Sequence, residues 1–510
     1  MSNRYSILWA DDEIDLLKPY IVFLEGKGYD VTPVPSGSDA LDKVQNNNYD
    51  IVFLDEMMAG MSGLDTLAEI KKIKPSIPCV MITKSEEEHI MEEAIGSKIA
   101  DYLIKPINPK QILMSVKKLL DNKRLVSEKT NMGYSQDFRN LAMQYNDRID
   151  HNEWADIYKK LVYWELELED SSDKSMEEVF ESQKIEAGNL FSQFVEDNYE
   201  DWICNPNVDR PVMSHHLMKK NVFPLLEEKS PLFFILIDNF RYDQWQVIRE
   251  ILTEYFTVET EDSYYSILPT ATSYARNAIF SGMTPLEMSK KHPDLWVNDE
   301  GDNEDGLNKN EKEFLKRQLK KSNKNIKFSY NKIITNNHGK NLNDNFNNLL
   351  QNDLNCVVYN FVDMLSHART DSAMIKQLAP DEAAYRSITK SWLEHSTLLE
   401  FLKMVADNKG RVIITTDHGM VRVKNARKIV GDRNVNTNLR YKQGKNLNLV
   451  DKKDHVVEVR RPDNFGLPSP NVSTAYFFTT EDHFFAYPNN FNYYVSHYKD
   501  TFQHGGISME

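Results

Sequence analysis

Cysteine is scarce in this chain: Cys79, Cys204 and Cys356 are the only three in 510 residues. An odd, scattered set excludes a disulfide framework and points to a reducing compartment. No apolar run approaches the roughly 20 residues that a membrane span requires, and no charged-then-apolar export signal opens the sequence. Positive charge is also in deficit, with Lys+Arg 61 against Asp+Glu 77 and a net charge of -16. That balance argues against a basic surface for duplex DNA. The expectations are therefore a cytoplasmic protein with no membrane insertion and no duplex DNA-binding domain. The length calls for about two to four domains.

What is present is organised in three stretches. Over residues 1–120 the runs YSILWA, DVTPV, DIVFLD, IPCVMIT and ADYLIKP read as strands, with helix-periodic segments between them. The pattern predicts a small α/β unit with a five-stranded parallel sheet. Over residues 121–226 strand signals vanish, and HNEWADIYKKLVYWELELED and SMEEVFESQKIEAGNLFSQFVEDNYEDWI predict a helical bundle or spacer whose aromatic residues pack a core. Over residues 227–510 strand candidates return in PLFFILIDNF, NCVVYNFVD, GRVIITTDHG, DHVVEVR and TAYFFTT, predicting a larger α/β domain. The hydrophilic region 298–348 reads as a surface insertion, or as a mobile cap beside a site.

Acids and a lysine gather at the strand ends of the first stretch. Asp11 and Asp12 follow the first strand, Asp55 the third, Thr83 the fourth and Lys105 the fifth. Clustered carboxylates suit Mg²⁺ beside a phosphate. Asp55 can attack a phosphoryl donor, with Lys105 and Thr83 contacting the added phosphate. ILWADDE, DIVFLDEMM, MITKS and DYLIKP resemble the receiver domain of two-component response regulators. That resemblance implies Mg²⁺ at Asp11, Asp12 and Asp55, and phosphorylation of Asp55 by a sensor histidine kinase. It further implies a switch built from Thr83, Tyr102 and Lys105, a cis peptide before Pro106, and a homodimer promoted by phosphorylation.

The third stretch places Asp238, Asp363 and Asp417 after apolar strand candidates, with His418 adjacent, His367 four residues beyond Asp363, and His504 before two glycines. Positions four apart share a helix face, so Asp363 and His367 can address one ion. Asp and His are zinc ligands, and six of them fit two ions of three protein groups each. LPTATSYARNAIFSG supplies Thr270, Thr272 and Ser273 as hydroxyl nucleophiles, and Thr272 begins a helix-like run whose amino terminus favours an anion. The residues alone leave Thr270 and Thr272 open.

Residues from about 231 onward, with DNFRYDQW and HGGIS, resemble the PglZ domain of the alkaline phosphatase superfamily. The resemblance implies one Zn²⁺ on Asp238, Asp417 and His418, joined by Thr272, and a second on Asp363, His367 and His504. It makes Thr272 the catalytic nucleophile. Phosphodiesterase relatives carry Asn three residues after that Thr, where this chain has Ala275, so Arg276 and Asn277 become the candidate phosphoester-binding groups. The full order is similar to PorX-like response regulators, which implies a role in type IX secretion and contact with a sigma factor or a secretion-system component. The leading expectation is a zinc-dependent phosphodiesterase or phosphatase acting on a phosphoester, an oligo- or cyclic nucleotide being the favoured class. The alternative is a non-catalytic, zinc-stabilised signalling protein that dimerises and docks on partners.

Overall fold

Strand pairing in the amino-terminal stretch follows directly from its alternation of apolar runs and helices. The computed structural model describes residues 5–74, 77–84, 99–145, 148–171, 175–227, 230–299, 306–432, 435–450 and 454–510. The chain divides into two compact units, residues 1–135 with 170–175, and residues 136–169 with 176–510.

In the first unit, Ser6–Ala10 (β1), Asp30–Val34 (β2), Ile51–Asp55 (β3), Cys79–Thr83 (β4) and Asp101–Ile104 (β5) form a parallel sheet in the order β2-β1-β3-β4-β5. All five lie within the runs read as strands. β3 and β4 are buried along their whole length, as expected when helices cover both faces of a parallel sheet. Lys18–Glu25 (α1) and the first turns of Pro109–Gln144 (α4) pack Ile21, Leu24, Ile112 and Val116 against Trp9, Phe53 and Ile82. On the other face, Gly37–Asn46 (α2) and Gly63–Ile73 (α3) pack Ala40, Val44, Leu67 and Ile70 against Leu8, Val52 and Leu54. Ser36 and Ser62 start those two helices, each hydroxyl accepting the backbone N–H three residues on. The helical segment expected between β4 and β5 falls on residues 85–98, outside the described residues.

In the second unit, His151–Asp170 (α5) and Glu177–Cys204 (α6) are the long helices expected, and their aromatic residues are core packing. Trp154 meets Phe191 edge-on at 5.6 Å, and Trp202 meets Tyr265 at 5.5 Å. No helix among the described residues is long and apolar enough to cross a membrane.

A four-stranded parallel sheet organises the rest, built from Leu232–Ile237 (β6), Phe328–Ile333 (β7), Leu354–Tyr359 (β8) and Arg411–Thr415 (β9) in the order β7-β8-β6-β9. Tyr242–Thr253 (α7), Thr272–Ser281 (α8), Glu311–Lys321 (α9), Phe361–Asp371 (α10) and Glu382–Glu394 (α11) surround it.

Several expectations need correction. Among the described residues, region 298–348 is not a surface insertion: it supplies α9 and the edge strand β7. The reason it escaped detection is compositional, since FSYNKI has polar residues on an edge strand that stays only half-buried. DHVVEVR and TAYFFTT are strands as expected, Val456–Val459 and Ala475–Thr479, and they form a three-stranded antiparallel sheet with Tyr441–Gly444 rather than joining the parallel one. Asp363 does not directly follow a strand. β8 ends at Tyr359, Asn360 caps the next helix without a side-chain hydrogen bond, and Asp363 lies in the first turn of α10.

Candidate active site and metal centre

Parallel strands end at one edge of a sheet, and in the second unit the register across that edge decides which residues meet. Leu236 pairs with Thr415, so two residues further on Asp238 and Asp417 leave the sheet side by side. Ile237 pairs with Tyr359, and the chain then turns into α10. On that helix His367 Nε2 stands 3.6 Å from Asp363 Oδ2, as the four-residue spacing requires.

Six side chains converge as two groups. Asp238, Asp417 and His418 form one, and Asp363, His367 and His504 the other; within each group one ligand atom per residue lies within 4.8 Å of the others. The first group is buried throughout, whereas the His367 side chain is 63% exposed. The second group therefore opens to solvent at His367.

The local chemistry fits a cation in each. Asp417 Oδ2 and His504 Nδ1 are buried and lack hydrogen-bond partners among the described residues, an arrangement costly without a ligand. His418 Nδ1 lies 3.1 Å from the Gly419 carbonyl oxygen. A carbonyl only accepts, so Nδ1 carries the proton and Nε2 presents its lone pair to the site. Burial pushes the His418 and His504 pKa values down, which keeps the imidazoles neutral. Burial pushes the Asp363 carboxyl up to about 6, with the charge of Asp238 adding to it. Asp417 is raised well above the usual carboxylate range by burial and by Asp238. For Asp238 burial acts upward too, but Arg276 and His418 outweigh it and the net direction is down.

α8 brings a hydroxyl to this edge. Thr272 is its first residue, and Oγ1 lies 3.0 Å from His418 Nε2 and 3.2 Å from Asp238 Oδ1. Thr270 is otherwise engaged: its hydroxyl donates to Gly506 O at 2.7 Å and accepts from Gly505 N at 3.2 Å. Glycine is required there. A Cβ on Gly506 would stand 2.3 Å from Thr479 O, and Gly505 adopts φ +111°.

Arg276 and Asn277 are not free to grasp a substrate. Arg276 is fully buried, its Nε donating to Glu311 Oε1 at 2.6 Å and its Nη1 to Asp238 Oδ2 at 2.7 Å. Asn277 donates to the carbonyls of Ser273 and Leu307. Both are held by protein groups next to the ligand residues.

The sequence reading missed Asn239. It adopts φ 62°, a left-handed conformation that Asn tolerates better than most residues. Its N–H donates to Asp417 Oδ1 at 3.2 Å, and its side-chain amide donates to Asp363 Oδ1 at 3.2 Å, linking the two groups. The signal was the Asn immediately after Asp238.

In the first unit Asp11, Asp12 and Asp55 form a third acidic group at the sheet's carboxyl edge. Lys105 Nζ lies 2.7 Å from Asp55 Oδ1 and 3.0 Å from Asp11 Oδ2. Burial raises the Asp55 pKa, with the Lys105 hydrogen bond opposing it. The Lys105–Pro106 peptide is cis. The Thr83 hydroxyl donates to Glu56, and the Tyr102 hydroxyl is buried without a partner among the described residues.

Comparison with known proteins accounts for each stretch. Residues 7–117 match the response regulator receiver domain, residues 124–203 the PorX response regulator linker domain, and residues 217–510 the BREX system PglZ alkaline phosphatase-like domain. These matches define a two-component response regulator with a phosphatase-like output domain. The chain belongs to the PglZ family of alkaline phosphatase-like domains, carried behind a receiver and a PorX-like linker.

Among curated relatives, the transcriptional regulatory protein ResD of Bacillus subtilis is 28% identical over 151 residues, covering 30% of this chain and 61% of ResD. ZraR of Klebsiella oxytoca is 37% identical over 123 residues, covering 24% of this chain and 28% of ZraR. The chain thus spans less than two thirds of either relative. A CheY-like receiver domain from Methanospirillum hungatei shares 25% identity and a TM-score of 0.23, covering 24% of this chain and 96% of that one.

Proposed function

We propose that the chain is a phosphorylation-controlled response regulator whose output domain is a two-metal phosphodiesterase, with Thr272 as nucleophile. One observation carries the reading: the Thr272 hydroxyl stands within hydrogen-bond distance of both Asp238 and His418, beside two groups of three metal-ligating side chains. Asp238, Asp417 and His418 would hold one zinc ion, and Asp363, His367 and His504 the other, since carboxylate and neutral imidazole are its ligands. When bound, such ions lower the pKa of a hydroxyl and balance charge on phosphoryl oxygens.

The chain's own residues do the rest. The Asp238 carboxylate accepts the hydrogen bond of the Thr272 hydroxyl, orients it and draws its proton, while the His418 lone pair is kept for the ion. Its Oγ1 then forms the bond to phosphorus while the bond to the leaving oxygen breaks, and the leaving oxygen takes up a proton. The resulting threonine ester is cleaved by water, which restores the hydroxyl. The amino terminus of α8 directs backbone N–H groups toward the anion. With Arg276 held by Asp238 and Glu311, the monoanionic diester fits the charge of the site better than a dianionic monoester. An oligo- or cyclic nucleotide is the proposed class.

The receiver acids would hold Mg²⁺ and accept a phosphoryl group at Asp55 from a sensor histidine kinase, with dimerisation as the response. The resemblance to PorX-like response regulators, in line with the linker match, suggests a place in type IX secretion control, with a sigma factor or secretion-system component as partner. Zinc-reconstituted protein is expected to cleave diester substrates, and Thr272→Ala to lose at least about 10³-fold in turnover while retaining zinc. Full zinc occupancy without turnover on any phosphoester would favour a non-catalytic docking role instead.

A further inference from the structure

Lys332 stands apart from the residues assigned so far. It pairs with Val358, Val358 with Leu236, and Leu236 with Thr415, one row across the sheet near its carboxyl edge. Strand side chains alternate with a period of two, so Lys332 shares a face with Asp238 and Asp417, which follow two positions beyond that row. Its strand neighbour Tyr330 packs on Phe280 of α8 at 5.3 Å, which fixes this face as the one that carries Thr272.

The ammonium is half-buried, with a quarter of the side chain open, yet its nearest carboxylate oxygen, Glu311 Oε2, is 4.0 Å away. Both Glu311 oxygens are already engaged, one by Arg276 and the other by the Tyr330 hydroxyl. Lys332 Nζ makes no hydrogen bond among the described residues. Burial lowers its pKa and the Arg276 charge adds to this, against the pull of Glu311, Asp238 and Asp417, so the ammonium is desolvated with only a long ion pair to Glu311. β7 is two strands from β6, about 10 Å at the spacing of paired strands, and Arg276 and Glu311 stand between Lys332 and Asp238. The cation is thus set to the side of the reacting centre.

We propose that Lys332 binds a second phosphate of the substrate, flanking the scissile one, so that the output site selects nucleotide chains carrying more than one phosphate. This rests on the phosphodiesterase reading above. The test compares a dinucleotide bearing both terminal phosphates with the same dinucleotide lacking them, on zinc-reconstituted full-length wild type, Lys332→Met and Lys332→Arg. Wild type is expected to favour the phosphorylated substrate about tenfold in KM, the contact being charge-assisted. Lys332→Met is expected to bring that ratio near one, with zinc content retained, and Lys332→Arg to keep most of it.

A ratio unchanged in Lys332→Met, or equal losses on both substrates with the ratio intact, overturns the proposal. Calorimetric binding of the two dinucleotides to Thr272→Ala, with and without Lys332→Met, reads the same contact without turnover. Preferential binding that depends on Lys332 supports the proposal even if wild type cleaves neither substrate, an outcome that counts against the phosphodiesterase reading alone. Equal affinities overturn it.

Discussion

Asn239 and Arg276 show how much of the site's order rests on residues that are not ligands. Asn239 needs a left-handed backbone and uses both its N–H and its side-chain amide to connect Asp417 with Asp363. Asn239→Gly keeps the backbone conformation but loses the amide, whereas Asn239→Ala also introduces about 1–2 kcal/mol of backbone strain. Both are expected to weaken zinc retention about tenfold in chelator competition, and only the alanine variant to lower the melting temperature through strain. Arg276→Met would leave Glu311 and Asp238 buried without their cation, a loss of about 3–5 kcal/mol measurable by chemical denaturation. Equal stability in that variant would contradict the support role given to Arg276.

At the scale of elements, legibility followed the match between composition and position. β1, β3 and β6 announced themselves because central parallel strands are apolar on both faces. β7 did not, because an edge strand tolerates the Ser, Asn and Lys of FSYNKI. The six ligand candidates were legible through their spacing and their places after strands, and Asn239 through its place beside Asp238, but Glu311 and Lys332 reach the site from a separate helix and an edge strand, which no local pattern reveals.

Tyr441–Gly444 makes a separate, pH-dependent prediction. Lys442 is buried on this strand and donates to the Asn436 and Thr437 carbonyls. Burial pushes its pKa down to about 7, partly offset by Asp299, against about 10.4 in an unfolded chain. Between those values the unfolded state holds the extra proton, so this group's contribution raises stability as pH rises from 7 toward 10. The slope is at most about 1.4 kcal/mol per pH unit. Denaturation of wild type and Lys442→Met at pH 7, 8.5 and 10 should show this slope in the wild type and its loss in the variant; parallel pH profiles would contradict it.

At the scale of the molecule, the linker helices and the output domain of the second unit share a buried network of charges. Arg386 of α11 bonds Asp243 of α7 at 2.7 Å and Glu165 of α5 at 2.9 Å, and it also reaches Glu169. Lys184 of α6 bonds the other Glu165 oxygen at 2.7 Å. For Asp243 burial acts upward, but Arg241 and Arg386 hold its carboxyl well below the usual range. α7 follows the loop that carries Asp238 and Asn239, so this network ties α5 to the edge of the sheet that carries the candidate ligands. Arg386→Met is expected to destabilise the second unit by about 3–5 kcal/mol, and a double-mutant cycle with Glu165→Gln to show coupling well above that of an exposed ion pair.

The central claim, that the output domain cleaves phosphodiesters through Thr272, is tested most directly by acid quenching during turnover and peptide mass spectrometry. The account predicts a phosphoryl ester on the Thr272 hydroxyl that disappears as substrate is exhausted. Sustained diester hydrolysis with Thr272 unmodified, and with Thr272→Ala equally active, would contradict it.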